Sequence, residues 1–306
     1  MRLQDEKAMR LQTSHAEFQS FVADLARELP DVTGIPCHLR RVRVALRMRG
    51  NVSAYAQPAL SRISFSRSTR KFVEDLLASG LKAHENVQSV RAVEEAEVLA
   101  HELLHLRFDA RQAERNIDAE ELFPGLDSFE EALTTLLSRQ AVPHILSRLG
   151  FAATDTPSSL TTPRERANDY EYVIVPLLAH LLGKSAQVQG ITENHLLHCL
   201  GSAGSTIEAA HLLTQPFLSG SREMRAHALK ELLGVFACAS LELEAFLGNV
   251  EAGREQVDSV EDVEARCGEF IQRYASLADA LLGKTGMDAS GSRANPHRSP
   301  GAETIH

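Results

Sequence analysis

Tryptophan is absent from this sequence of 306 residues, and aromatic residues make up only 5% of it. A core with so few rings must be filled mainly by Leu, Ala and Val, which favours packed helices. No run approaches the roughly eighteen uninterrupted apolar residues of a membrane-spanning helix. The first residues also lack the apolar segment of a secretory signal. We therefore expect a cytoplasmic protein without a membrane span, with signal-independent secretion left open.

Cysteine is scarce, and the four residues Cys37, Cys199, Cys238 and Cys267 lie far apart in the sequence. Their spacing matches neither a metal site nor a redox motif, so we interpret them as reduced, mostly buried thiols.

Acidic residues are missing from residues 37–71, which contain eight arginines and one lysine. The chain as a whole has a net charge of −9, so this basic segment stands against an acidic remainder. A field this uneven can steer a charged partner. It favours a protein or peptide partner of acidic character over nucleic acid or an anionic membrane, unless the arginines form an ordinary solvated face.

The same basic segment contains the only clearly β-like pattern. Apolar residues alternate with arginines and one alanine in "RVRVALRMRG", and Gly50-Asn51 predicts a turn after it. The alternation would place Val42, Val44, Leu46 and Met48 on one face and Arg41, Arg43, Arg47 and Arg49 on the other. The segments "VSAYAQ" and "SRISFSR" predict two more short strands.

The rest of the chain is predicted to be helical. Helical periodicity starts at His15 and stops at Pro30. Later helices are expected near residues 69–79, 88–108, 128–149, 167–183, 191–200, 205–217, 221–248 and 258–283. The fold class is therefore α+β, mostly α. We divide the chain into an N-terminal helix and leader (1–36), a core that contains the predicted strands (37–150), a helical subdomain (151–284) and a disordered tail (285–306).

The stretch "EEAEVLAHELLHLRFD" contains the motif HExxH within one predicted helix. His101 and His105 are four residues apart and so lie on one face, where both imidazoles can bind one Zn²⁺. Glu102 lies about 100° round the helix, from where it can reach a water at the metal and act as general base. It would then pass the proton to the leaving amine. The alternative is a helix that contains two histidines by coincidence.

A catalytic zinc needs a third protein ligand and one open position. No Gly and His follow His105 within six residues, which excludes the form of the motif with a third histidine. A second helix, "DSFEEALTTLLSR", carries Glu130 and Glu131 in its first turn.

These two motifs resemble those of the gluzincin metallopeptidases, the thermolysin-like group with HExxH and a downstream Glu. The match covers about residues 40–200 and is nearest to small bacterial members with Glu-Gly-Leu-Thr on the second helix. The resemblance implies a zincin-like sheet beside the HExxH helix and Glu131 as third ligand, with Glu130 as the alternative. Thr135 stands where the thermolysin pattern has an Asp that orients the first histidine. A strand would border the cleft and pair with substrate.

Several weaker candidates come from the second half of the chain. The resemblance implies an oxyanion donor there, for which we choose Tyr172 over Tyr170, His180 and His195. "NHLLHC" offers His195, His198 and Cys199 as a second metal site or as a packed helix. Asp109 follows His105 by one turn and either accepts its free N–H or ends the helix.

The sequence therefore predicts a zinc metallopeptidase that hydrolyses peptide bonds. The rival hypothesis is a helical binding or scaffold protein whose zinc site is structural or inactive. A toxin or effector metalloprotease is a third possibility within the same chemistry.

Overall fold

A computed structural model describes residues 2–45, 53–79, 86–151, 170–218, 221–257 and 259–290. The structure is 77% helical and has one small mixed sheet, which confirms the predicted class of α+β, mostly α. Its helices are α1 (Arg2–Thr33), α2 (Arg67–Ser79), α3 (Asn86–His105), α4 (Ala110–Leu122), α5 (Leu126–Arg148), α6 (Tyr170–Gln189), α7 (Glu193–Gly201), α8 (Thr206–Thr214), α9 (Arg222–Glu251) and α10 (Val260–Ser290).

Three four-residue strands, β1 (Arg41–Val44), β2 (Ala54–Gln57) and β3 (Arg62–Phe65), form the sheet in the order β1-β3-β2. β1 runs parallel to β3, whereas β2 is antiparallel to it and is joined to it by a short 3-10 helix, Pro58–Leu60. In β1 the arginines are exposed and the valines half-buried, as the alternation predicts. Leu46, Arg47, Met48, Arg49 and the Gly50-Asn51 turn lie outside the described residues.

Two hydrophobic cores meet at α5. The first joins α1, the sheet, α2, α3 and the C-terminal half of α5. The second joins the N-terminal half of α5 to helices α6–α10. Helix α1 therefore packs in the same core as the sheet and α3. The expected boundary at residue 36 does not mark off a separate hydrophobic core.

Helix α1 continues through Pro30 to Thr33, whereas the sequence predicted an end at Pro30. A proline this close to the end removes only one backbone hydrogen bond. The helix ends at Gly34, which has a φ of +69° and donates its N–H to the carbonyl of Pro30 at 2.8 Å. A left-handed residue at this position is a common helix end and favours glycine.

Two further differences concern segments that are helical in the structure but were not predicted to be helical. No helix was predicted for 110–122, where α4 begins at Asp109 with a capping box that pairs Asp109 and Gln112. Only Ala113 and Asn116 are buried in α4, so its apolar stripe is too narrow to signal a helix. At the other end of the chain, α10 extends to Ser290, six residues into the segment expected to be disordered. Residues 291–306 lie outside the described part.

Helix α9 is long and apolar enough to cross a membrane by length and composition alone. This is weak evidence for a span, because core helices of soluble proteins pass the same test. One face of α9 packs closely on the start of α5, where a Cβ on Gly125 would come within 2.1 Å of the Leu233 carbonyl oxygen. Phe236 of α9 also meets Phe129 of α5 edge to face at 5.7 Å. The absence of a span stays a prediction.

Candidate metal centre

The structure brings together the three side chains that the motifs single out as metal ligands. On α3, the Nε2 atoms of His101 and His105 lie 3.0 Å apart. From α5, the carboxylate of Glu131 reaches both, with Oε2 at 3.1 Å from His101 and Oε1 at 3.3 Å from His105. Two nitrogen donors and one carboxylate that converge in this way could hold a metal ion.

His101 is oriented by a hydroxyl group. The Oγ1 atom of Thr135 lies 3.4 Å from Nδ1 of His101 and donates its own proton to the Glu131 carbonyl at 2.8 Å. Because that proton is already used, the hydroxyl is free to accept from Nδ1–H. Nε2 is then the unprotonated atom that a metal needs. Thr135 is therefore the hydrogen-bond partner of His101 on the side away from the candidate ligand group.

His105 faces a carboxylate instead. Its Nδ1 lies 3.6 Å from Oε1 of Glu130, whose other oxygen accepts hydrogen bonds from Arg107 at 2.6 Å and from Thr206 at 2.8 Å. Arg107 is only 2% exposed and also donates to Thr134 at 3.0 Å. Glu130 is thus held by a buried ion pair behind His105, while Glu131 belongs to the ligand group.

The charges of these residues shift one another's pKa values. Burial lowers the pKa of His105, but the charge of Glu131 and the hydrogen bonds that His105 donates to Glu130 and Glu131 outweigh it and raise that pKa to about 10. Burial raises the pKa of Glu130, yet the charge of Arg107 and the contact with His105 bring it down to about 2. Burial likewise raises the pKa of Glu131, but the two histidines outweigh it and hold that pKa well below its ordinary value. Without a metal, His105 therefore holds a proton at neutral pH.

Glu102 lies next to this group without being part of it. Burial raises the pKa of its carboxyl, against the opposing charges of His105 and His101. The carboxyl also accepts a hydrogen bond from the backbone N–H of Ala56 in β2. Strand β2 therefore fixes the one acidic side chain of the motif that is not a candidate ligand.

The backbone of β2 has an outward side that faces the cleft. Ser66 donates its N–H to the Ser53 carbonyl at 2.7 Å, so alternate residues from Ser53 onward pair with β3. In an antiparallel ladder the residues between them point their N–H and C=O groups outward. Those residues are Ala54 and Ala56, at the edge of the sheet that "VSAYAQ" was expected to supply.

A cleft of about 1000 Å³ contains the site. Its walls come from β2 and the 3-10 helix, from α3 and α5, and from one face of α4, with Thr206 at the start of α8 completing them. Helix α4 packs against the 3-10 helix and bounds the cleft beyond His105. The cleft is large enough for several residues of an extended chain.

The other predicted candidates lie elsewhere. Asp109 is exposed and caps α4, while Nδ1 of His105 faces Glu130, so of the two alternatives for Asp109 the contact with His105 is not formed. His180 contacts Asp279 on α10 at 3.2 Å, and His198 meets the Thr33 carbonyl at 3.1 Å. Among the described residues, His195 and Cys199 join no metal-binding group with a third ligand. The side chains of Tyr170 and Tyr172 lie outside the described residues.

Sequence reasoning missed Arg107 and Thr206, which position Glu130. Arg107 offered a signal, because a basic residue inside the apolar run "LLHLRF" has to find an acidic partner in the core. Thr206 offered none, since it is separated from Glu130 by 76 residues. The four cysteines are free, but only Cys267 is buried, so the prediction that they are mostly buried is wrong.

Comparisons with protein-family models, curated proteins and solved structures found no match. The resemblance to the gluzincins therefore rests on the two motifs and on what they form.

Proposed function

We propose that the chain is a zinc-dependent metallopeptidase of gluzincin type. The observation that carries this proposal is the convergence of His101, His105 and Glu131 beside Glu102, which is close to the site and free of any ligand role. A structural zinc site needs no such carboxylate and is usually closed by four protein ligands. The described residues supply three.

The ligand group fits zinc in both chemistry and size. Imidazole nitrogen and carboxylate oxygen are among the donors that zinc prefers. Four donors at roughly 2.0–2.2 Å in a tetrahedron lie about 3.3–3.6 Å apart. The separations of 3.0–3.3 Å between the three donors need only small side-chain shifts to match this spacing.

Zinc, when bound, would supply a Lewis acid that polarises a carbonyl and makes a water acidic enough to react at neutral pH. The protein's own contribution is then a proton carrier. Glu102 accepts a proton from the water and delivers it to the nitrogen of the leaving amine. Its raised pKa suits a group that must both take and give a proton, and the Ala56 N–H fixes its position.

A peptide substrate would be oriented by the edge of β2. The N–H of Ala56 is taken by Glu102, but the outward N–H of Ala54 and the outward C=O groups of Ala54 and Ala56 can pair with an extended chain as an added strand. Ala56 also contacts Glu102, so the same strand would fix both the substrate and the proton carrier. The role of Tyr172 as oxyanion donor stays a prediction.

The variant Glu102→Gln tests the proposal against the scaffold hypothesis. We expect one zinc per chain to be retained, measured by elemental mass spectrometry, while proteolysis falls at least a hundredfold. Comparing new protein N-termini generated by the wild type and by Glu102→Gln in a cell extract would identify the substrates. Glu114→Gln, on the exposed side of α4, is the matched control and should cleave normally. Equal proteolysis by wild type and Glu102→Gln would contradict the proposal.

A further inference from the structure

The charges that line the cleft are mostly negative. Its walls carry eight carboxylates, and Arg139 is the only Lys or Arg among the described residues that line them. The exposed arginines Arg41 and Arg43 lie on β1, which β3 separates from the cleft edge at β2. The geometry therefore gives no support to the expectation that this arginine face draws an acidic substrate into the cleft.

One of the cleft carboxylates is buried and incompletely paired. Glu95 lies on α3 and lines the cleft, although only 7% of its surface is exposed. Its Oε2 atom is buried and has no hydrogen-bond partner among the described residues. A buried carboxylate oxygen without a donor is costly, so it marks a place where a donor from a ligand would be stabilising.

The described neighbours of Glu95 do not make up for this missing donor. Nη2 of Arg91 lies 3.8 Å from Oε1, beyond hydrogen-bond distance, and the guanidinium of Arg91 is held over the ring of Phe72 at 4.3 Å from its centroid. The hydroxyl of Thr69 contacts Glu95, but it has a single proton and also lies 3.3 Å from the carbonyl oxygen of Ser53. Burial therefore raises the pKa of Glu95 against the effects of Thr69 and Arg91.

Glu95 shares a face of α3 with the proposed proton carrier. It precedes Glu102 by seven residues, which is two helical turns or about 10.5 Å along the axis. Strand β2 packs on α3, where its Ala56 N–H meets Glu102, and Thr69 connects Glu95 to Ser53 just before β2 begins. An extended chain rises about 3.3 Å per residue. A polypeptide that lies along β2 with its reacting carbonyl beside Glu102 therefore passes Glu95 about three residues away.

The form of this site favours a lysine side chain. The carboxylate is recessed, so a group that reaches it needs a long stem, and the carboxyl can turn about its terminal bond to meet that group. Only one oxygen lacks a donor, which suits a compact ammonium better than the two-pronged fork of a guanidinium. Val98, one turn from Glu95, is half-buried in the cleft wall and offers an apolar contact for the stem. Glu94 and Glu97 line the same part of the cleft and add negative charge.

Resting on the peptidase function proposed above, we infer that Glu95 binds the ammonium group of a substrate lysine that lies about three residues from the cleaved bond. Val98 contacts the aliphatic stem of this lysine. The substrates are then polypeptides with a lysine at this position. Because Glu95 is buried, salt screens this contact less than it screens contacts between exposed charges.

Cleavage of a library of N-acetylated peptides by the zinc-loaded full chain tests the subsite. One position at a time is fixed as Lys, Arg, norleucine or Glu. The wild type should prefer Lys over norleucine by about tenfold or more at a position roughly two to four residues from the cleaved bond, the size expected for a hydrogen bond to a buried charge. Arg should be cleaved less well than Lys there. Glu95→Gln should bring the ratio of Lys to norleucine close to one.

Glu97→Gln is the matched control, because it removes the same charge from a half-buried residue of the same helix and the same part of the cleft. It should change the ratio by no more than about threefold, the effect of a partly solvated charge. An equal loss in Glu97→Gln would mean that the general negative potential, and not Glu95, selects lysine. Urea unfolding of metal-free Glu95→Gln should give a midpoint no lower than that of the wild type, since no hydrogen bond to Oε2 is lost. A lower midpoint would contradict the unpartnered oxygen on which the subsite rests.

Binding supplies a readout that does not depend on cleavage. N-acetylated peptides with Lys or norleucine at the selected position, or at each position in turn if nothing is cleaved, carry fluorescein at the C-terminus. They are titrated into zinc-loaded Glu102→Gln, with and without Glu95→Gln. A Lys preference that Glu95→Gln abolishes supports the subsite even where no peptide is cleaved, and then only the peptidase function fails.

Three results overturn the subsite. The first is a wild type that cleaves without preferring Lys, and the second is a Lys preference that survives Glu95→Gln. The third comes from lysine-free peptides with a free N-terminus. If these bind more tightly than their acetylated forms, and Glu95→Gln removes the difference, Glu95 binds the terminal ammonium rather than a side chain.

Discussion

The two histidines of the motif lie one turn apart on α3, yet their surroundings differ in charge. His101 faces the neutral hydroxyl of Thr135, which is fixed to the backbone of α5. His105 faces the carboxylate of Glu130, which the buried Arg107 holds in place. An anionic partner makes an imidazole more basic and a stronger ligand. His105 is therefore the electrostatic anchor of the site, and His101 is positioned by geometry.

Glu131 contacts both histidines, one with each of its carboxylate oxygens. Glu131→Gln should therefore have the largest effect. We expect zinc affinity to fall by more than the roughly 100-fold that loss of an outer partner costs, and proteolysis to be lost with it. Competition titration against a zinc chelator measures this. Retained zinc binding in Glu131→Gln would remove Glu131 from the ligand set.

Arg107→Met removes the cation that holds Glu130 beside His105. The substitution leaves the carboxylate of Glu130 buried without its cation, which typically costs about 3–5 kcal/mol. Urea unfolding of the metal-free protein should show this loss in the free energy of unfolding. Arg107→Met combined with Glu130→Gln should recover a large part of it, because no charge is then left unpaired. No recovery in the double variant would mean that Arg107 stabilises the fold by packing rather than through Glu130.

The same asymmetry shows what the sequence can and cannot predict. HExxH and the second helix could be found from spacing, since residues at i and i+4 share a face wherever the helix lies. The partner of Arg107 could not, because Glu130 lies 23 residues away and meets it only once α3 and α5 pack together. The role of Thr135 was hidden for a related reason: the sequence identified a missing Asp, and only the packed helices bring the hydroxyl to Nδ1 of His101.

The sheet gives a second example. Period-two alternation predicted the strands near their observed positions, and β1 keeps its arginines outside. Strand order does not follow from alternation. β3 lies between β1 and β2, so the arginine-bearing strand β1 forms the edge of the sheet away from the cleft. Helix α4 was missed because its cleft-facing residues, among them Ile117 and Glu120, are exposed and carry no core pattern.

The pH dependence of stability and of zinc affinity tests the role of His105. Its pKa is raised from 6.5 to about 10, so the metal-free protein gains stability from this proton below pH 6.5 and loses it as the pH rises to about 10. Zinc needs the neutral imidazole, so binding displaces the proton. Over this pH range we expect zinc affinity to rise by about tenfold per pH unit, measured with a chelator of known pH dependence. A flat profile above pH 7 would mean that His105 is already neutral without metal.

Thr135→Val tests the hydrogen bond between Thr135 and His101 and should have the smallest effect. The substitution keeps the shape of the side chain and removes the hydroxyl, so Nδ1 of His101 loses its acceptor while the ligand atoms stay in place. Outer partners of metal-bound histidines typically contribute about 10–100-fold to affinity. We expect the neutral Thr135 near the low end of this range and Glu130→Gln near the high end, both measured by chelator competition at one pH. Thr135→Ser keeps a hydroxyl and should restore most of the affinity. If Thr135→Val costs as much as Glu130→Gln, then charge does not distinguish the two histidines, and both partners act by orienting a ring.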